Sequence, residues 1–272
     1  KILLKQRLNN YYIIIKIEFW KGFLLIMNVK KRAEIIKNWI DNYCKNASFE
    51  PKSLVIGISG GIDSSVVSTL CALTGRKTII LNMPIKQIKS QHDLSVRHGE
   101  WLTSKYKNVD YELLELEKLF DSFEKNLNKF NNEHGFANSR ARLRMTTLYQ
   151  VAAANSGIVV GTGNKVEDFG VGFYTKYGDG GVDISPIADC TKTQVWELGK
   201  HLGVLKEIVE AEPTDGLWND GRNDSEQLGM SYLELEKAME NKNDPNYKKY
   251  LEIRKKNLHK MNPIPVCKFN DL

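Results

Sequence analysis

Ser59, Gly60, Gly61, Asp63 and Ser64 stand within six residues, directly after the apolar run Leu54, Val55, Ile56 and Ile58. Hydroxyls, glycine-freed amides and one carboxylate at that spacing suit the binding of a phosphate chain. Gly60 and Gly61 let the backbone turn sharply and approach a ligand closely. The free N–H groups and positive dipole end of a following helix attract anions. Asp63 would repel a pyrophosphate unless Mg²⁺ lay between them; an isolated Asp would more simply complement the helix dipole, but within Ser-Gly-Gly-x-Asp-Ser after a strand the metal reading is favoured. Neither G-x-x-x-x-G-K-[ST] nor G-x-G-x-x-G fits, so the two commoner phosphate loops are excluded.

The elements that must position these groups alternate in type. The first strand is rich in β-branched residues and apolar throughout, as for a strand covered on both faces. The helix after the loop (Val66, Val67, Leu70, Leu73) ends near Gly75. A second strand runs from Thr78 to Met83, stopped by Pro84. Ser90 is the expected cap of a helix reaching about Lys105, with Leu94, His98, Trp101 and Leu102 toward the core. A third strand fits 109–114. Residues 115–129 read as an amphipathic helix on Leu116, Leu119, Phe120, Phe123 and Leu127. A helix opening at Asn138 runs to Asn155 and is ended by Gly157; a strand at 158–160 follows. This order predicts an α/β fold: a doubly wound, mainly parallel, Rossmann-like sheet with helices on both faces. Ligands then bind beyond the carboxyl ends of the strands, where Gly161-Thr162-Gly163-Asn164-Lys165 forms a second ligand-facing loop.

The net charge is +6, and +4 of it falls in residues 1–26, where Lys1, Lys5, Arg7, Lys16 and Lys21 face Glu18 alone. The body carries no basic footprint for nucleic acid. Residues 1–26 have no clean period, are too charged for a membrane span and lack a signal-peptide cleavage site. They read as upstream sequence, with the native start at Met27 and one domain over 27–272. Ile35, Ile36, Trp39, Ile40 and Tyr43 then share one helical face. Cys44, Cys71, Cys190 and Cys267 are scattered, which fits a reducing cytoplasm rather than a disulfide or metal framework. His92 and His98 read as surface and core residues, not ligands. Residues 212–224, rich in Gly, Asp and Asn, read as a lid over substrate.

The Ser-Gly-Gly-x-Asp-Ser loop resembles the pyrophosphate loop of the N-type ATP pyrophosphatases. Four more segments resemble the ammonia-dependent NAD synthetases within that superfamily: 140–145 (Arg-Ala-Arg-Leu-Arg-Met), 161–167 (Gly-Thr-Gly-Asn-Lys-Val-Glu), 173–183 (with Thr-Lys-Tyr-Gly-Asp-Gly-Gly), and His259-Lys260 before Pro263 and Pro265. The likeness runs from Met27 to the C-terminus. It implies ATP-dependent amidation of deamido-NAD by ammonia, through an adenylated carboxylate, giving NAD⁺, AMP and pyrophosphate. It implies that Gly57, Ile58, Ser59, Gly60, Gly61, Ile62, Asp63, Ser64, Thr162, Lys192 and Thr214 bind ATP, and that Asp63 and Glu167 hold Mg²⁺. Arg142, Lys176, Asp183, His259 and Lys260 would contact deamido-NAD. Asp179 would take a proton from ammonium and Lys192 would neutralise phosphate charge. Between Glu167 and the Thr-Lys-Tyr-Gly segment this chain carries one residue more than is common in that family. Arg140 and Arg144, on another helical face than Arg142, read as partners of surface acids. The resemblance also implies a homodimer. No membrane or nucleic-acid partner is expected. A tRNA-modifying ligase on the same loop would want paired reactive cysteines or basic appended domains. An ATP-binding sensor would need neither Glu167 nor the dinucleotide segment.

Overall fold

The computed structural model describes residues 26–213 and 224–269. The expectations for residues 1–25, for Thr214 and for most of the 212–224 lid lie outside them.

Four strands, β1 (Ser53–Gly57), β2 (Lys77–Asn82), β3 (Val109–Leu113) and β4 (Gly157–Val159), form a parallel sheet in the order β3-β2-β1-β4. Helix α1 (26–46) precedes it. Helices α2 (Ile62–Leu73) and α3 (Lys89–Lys105) make the first two crossovers, and α4 (Glu117–Asn126) with α5 (Glu133–Ala154) makes the third. The chain moves outward from β1 to β3 and then returns to the other side of β1. The crevice between the carboxyl ends of β1 and β4 is therefore the topological switch point, where doubly wound sheets bind ligands.

The central strands β1 and β2 are largely apolar on both faces because both faces are covered, whereas the edge strand β3 leaves Asp110 and Glu112 exposed. Leu54 and Ile56 pack with α1, α2 and α6 (Lys192–Leu202), while Val55, Ile79 and Leu81 meet Ala152 and Leu148 of α5. A second core joins α8 (Asp224–Leu228), α9 (Tyr232–Glu240) and α10 (Tyr247–Met261) to a wide π-type turn at Lys165–Val171, through Val166, Val171, Leu235 and Tyr250. The short helix α7 (Lys206–Val209) follows α6.

Local expectations need five corrections. The stripe that α1 buries is Val29, Ala33, Ile36, Ile40 and Cys44; Ile35, Trp39 and Tyr43 stand exposed beside it. Ile88 rather than Ser90 precedes α3, which has no side-chain cap. Only Phe120 of α4 is buried, and Leu119 and Phe123 are exposed. Helix α5 starts at Glu133, because the Asn132 side chain accepts the Gly135 N–H at 2.7 Å. It ends before Gly157: Ser156 takes the left-handed conformation (φ +50°), and Gly157 lies in β4, where a Cβ would fall 2.2 Å from Ser53 Oγ.

His98 is fully buried, and its Nε2 meets Ser68 Oγ of α2 at 2.8 Å. Burial pushes its pKa down to about 4. The unfolded chain therefore takes up a proton near pH 6.5 that the folded chain refuses. Stability should fall as pH drops from 6.5 toward 4, by up to about 3 kcal/mol from this residue. Urea titrations of wild type and His98→Asn across that range check it; parallel curves would count against the buried neutral ring.

Candidate active site at the switch point

The phosphate loop is closed on itself by its own serines. Gly61 N–H donates to Ser59 Oγ at 3.2 Å, while Ser64 Oγ and Ser65 Oγ donate to the Gly61 carbonyl at 3.1 and 2.9 Å. Gly60 is left-handed (φ +86°) and lies so close to α3 that a Cβ would stand 2.6 Å from the Gln91 carbonyl. Gly61 precedes α2 without a side-chain cap. The first-turn amides of α2 are thus kept for a ligand, as an anion site requires. Residues 57–64 line a cleft whose other walls are Thr162 and Gly163 after β4, α5, residues 178–182, Lys192 and Ala211–Pro213.

On the floor of that cleft three charges meet. The Lys192 ammonium donates to Asp63 Oδ2 at 2.6 Å and to Glu167 Oε1 at 2.7 Å, with its side chain only 3% exposed. Burial alone would lower the pKa of Lys192, but the two carboxylate charges and their hydrogen bonds overcome it and hold the ammonium above its ordinary value. Three elements deliver these groups. Asp63 is in the first turn of α2 and Lys192 opens α6, whose start is fixed by a capping box between Thr191 and Gln194. Glu167 sits on the π-type turn. Asn164 ties the first and last of these together: its Oδ1 accepts the N–H groups of Val166 and Glu167, both at 3.0 Å, and its Nδ2 donates to Asp63 Oδ1 at 2.9 Å.

Asp63 and Glu167 offer hard oxygen donors converging on one point. The described residues contain no cluster of three or more acidic, His or Cys ligands. Two carboxylates fit Mg²⁺, which keeps several waters and completes its shell with substrate phosphates.

The C-terminal helices brace this centre, which sequence reasoning missed. Tyr232 OH donates to Glu167 Oε1, and its ring lies 5.0 Å from Lys192 Nζ. One turn further along α9, Glu236 accepts from Thr193 N and Oγ1 at 2.9 and 2.7 Å, gripping the start of α6. From α10, Arg254 donates to the Phe169 and Gly170 carbonyls and Asn257 to that of Val171. Only the i, i+4 spacing of Tyr232 and Glu236 could have marked one shared face.

The other expected residues fall in two places. Thr162 and Asp179 line the cleft, and Asp179 Oδ1 accepts the Thr175 N–H at 3.0 Å. Arg142, Lys176, His259 and Lys260 gather at a rim beside the cleft, none of them among the residues that line it. Arg142 Nε donates to the Lys176 carbonyl at 3.3 Å, Lys176 Nζ to the His259 carbonyl at 3.1 Å and Lys260 Nζ to the Tyr174 carbonyl at 2.8 Å. Burial lowers the Lys260 pKa, opposed by the charges of Asp179 and Asp168. Asp183 does not line the cleft: its carboxylate accepts Val159 N–H at 2.8 Å and Tyr149 OH at 3.0 Å. Asp168, next to Glu167, does line it; burial, joined by the charges of Asp179, Glu167 and Asp63, raises its pKa well above the usual range. The reading of Arg140 and Arg144 as surface groups is overturned: Arg140 is 5% exposed and Arg144 lines the cleft.

Fold and site define an α/β protein of the doubly wound kind with a cleft at the switch point. The family model described as NAD synthase matches residues 32–266. An NH(3)-dependent NAD(+) synthetase of Archaeoglobus fulgidus is 33% identical over 256 residues, covering 90% of this chain and 100% of that one. The enzyme of the same description from Alkaliphilus oremlandii is 38% identical over 232 residues, 81% of this chain and 89% of its own. Among solved structures, an NMN synthetase from Francisella tularensis superposes with a TM-score of 0.81 at 30% identity, covering 89% of this chain and 99% of that one. An NH3-dependent NAD synthetase from Campylobacter jejuni gives 0.71 at 25% identity, with 88% and 99% covered. The chain belongs to the NAD synthase family, and is thereby an enzyme, a ligase of NAD biosynthesis.

Lys192→Met removes the ammonium between two part-buried carboxylates. It should lower stability by about 3 kcal/mol, the cost of stranding buried charge. Urea denaturation measures this, and an unchanged midpoint would contradict a shared ion pair.

Proposed function

We propose that this enzyme amidates deamido-NAD with ammonia at the expense of ATP, releasing AMP and pyrophosphate. A carboxylate is a poor electrophile, so it must first carry a good leaving group. In this reading the carboxylate oxygen of the pyridine ring attacks the α-phosphate and pyrophosphate departs. Ammonia then attacks the adenylated carbonyl, and AMP leaves as the amide forms. The observation that carries the reading is Lys192 held between Asp63 and Glu167 beside the phosphate loop.

The phosphate loop orients the departing pyrophosphate through its amides and serine hydroxyls. Lys192 offsets charge gathering on the phosphoryl oxygens. Bound by Asp63 and Glu167, Mg²⁺ would supply Lewis-acid stabilisation of the leaving group. Asp179 lines the same cleft and would receive the proton that ammonium gives up before attack. Arg142, Lys176 and Lys260 at the rim supply cations for the phosphates of a dinucleotide. Thr162 would contact ATP, and so would Thr214. Asp183 would act on the dinucleotide indirectly, by fixing Tyr149 and the end of β4. Residues 27–272 would form one catalytic unit, working as a homodimer in the cytoplasm without nucleic-acid or membrane partners. Free thiols at Cys44, Cys71, Cys190 and Cys267 agree with that compartment, and no helix among the described residues is long and apolar enough to cross a membrane.

A second reading rests on the likeness to the Francisella tularensis NMN synthetase: amidation of nicotinate mononucleotide by the same chemistry. The basic rim favours the dinucleotide, whose second nucleotide would otherwise meet nothing. Incubation with ATP, Mg²⁺, ammonium and each acid in turn separates them. Deamido-NAD should be turned over with the higher kcat/KM, giving NAD⁺ and AMP in equal amounts. A preference for the mononucleotide would select the second reading, AMP formation only with tRNA a modifying ligase, and no turnover a sensor. Asp63→Asn should cut pyrophosphate release by at least about 100-fold with an unchanged circular dichroism spectrum; wild-type release would refute the metal assignment.

A further inference from the structure

Arg144 stands one helical turn before Leu148 on α5 and lines the cleft. Its Nε donates to the Met83 carbonyl at 2.9 Å, just past the end of β2. Met83 and Leu148 are also the side chains that a Cβ on Gly57 would meet, at 3.3 and 3.6 Å. The guanidinium is therefore anchored over the ends of β1 and β2, across the cleft from the first turn of α2. Arg142, two residues earlier, points instead to the rim and the Lys176 carbonyl. Residues two apart lie about 200° apart around a helix, so α5 supplies one arginine to each part of the site.

Arg144 is incompletely satisfied by the protein. Its Nη2 is buried and has no hydrogen-bond partner, and none of the ion pairs among the described residues includes it. Burial pushes its pKa down to about 10, helped by the charge of Arg140 and opposed by that of Asp179. A buried guanidinium with an N–H bond unused is costly. Its planar fork of donors is shaped for an oxyanion. Within the proposed reaction, the loop amides and the Asp63–Glu167 pair account for the pyrophosphate end of ATP. Besides Lys192, which opens α6, Arg144 on α5 is the second cation that the described residues bring to the cleft.

We infer that Arg144 is a nucleotide contact whose guanidinium binds the α-phosphate of ATP, the phosphate that remains on AMP. The inference rests on the cleft being the ATP site. It makes Arg144 a donor to the oxygens on the phosphorus at which the carboxylate attacks, while Met83 fixes the aim of the guanidinium through Nε.

Ligand-observed NMR titrations with AMP and with adenosine test it, on wild type, Arg144→Gln and Arg144→Lys. AMP affinity should fall at least about tenfold in Arg144→Gln, the scale of a lost charge-assisted hydrogen bond. It should fall less, but measurably, in Arg144→Lys, which keeps the charge and loses the fork. Adenosine affinity should not change in either. Equal weakening of both ligands would overturn the inference, as would unchanged AMP binding. If Arg144→Gln does not fold, Arg144→Lys alone decides, its fold checked by thermal midpoint. Failure of the wild type to bind either ligand would instead strike the reading of the cleft as an ATP site.

Discussion

The constraint on which this structure turns is one ammonium shared by two carboxylates. Lys192, Asp63 and Glu167 come from helix α6, helix α2 and the turn after β4, and no two are close in sequence. Burying any one alone would carry a large desolvation cost; together they offset one another, provided the geometry is held. That proviso explains much of the surrounding architecture. The capping box fixes where α6 begins, Asn164 ties the turn to Asp63, and Tyr232 with Glu236 grips both remaining carriers from one face of α9. The sheet order contributes the rest, because only a chain that returns beside β1 sets a second loop opposite the first.

The same arrangement gives the cleft its polarity. At one end stand amides and hydroxyls of a loop that cannot tolerate a side chain at Gly60. Outside the cleft's lining stands a rim of cations, Arg142, Lys176 and Lys260, whose hydrogen bonds go to backbone carbonyls. A carbonyl partner orients a cation without pairing it with an acid. Tyr177, next to Lys176, accepts a left-handed conformation (φ +61°) within this segment, the kind of local strain that persists where surrounding structure over-determines a site.

Much of this was legible from residue order. The contiguous apolar runs announced strands covered on both sides, and the Ser-Gly-Gly-x-Asp-Ser motif marked the turn that a phosphate would approach. What failed did so for identifiable reasons. Trp39 and Tyr43 extend an apolar stripe wider than the neighbouring core can cover, so periodicity alone could not say which edge is buried. Arg140 and Arg144 show the spacing of a solvated helix face, yet α5 is wrapped on more than one side, and Arg140 lies over the Phe120 ring at 5.7 Å. Gly157 looked like a helix terminator and proved to be the place where β1 passes too close for a side chain. The bracing by Tyr232, Arg254 and Asn257 left no mark in local pattern, since it depends on contacts 65 to 86 residues apart.

That last feature bears on how the protein comes into being. A ribosome releases the sheet, the phosphate loop and the turn bearing Glu167 well before it releases Arg254 and Asn257, which fasten that turn through the carbonyls of Phe169, Gly170 and Val171. The phosphate-loop turn is thus made before the turn bearing Glu167 is fastened. The rigidity of that turn therefore depends on the last helix of the chain rather than on the sheet alone.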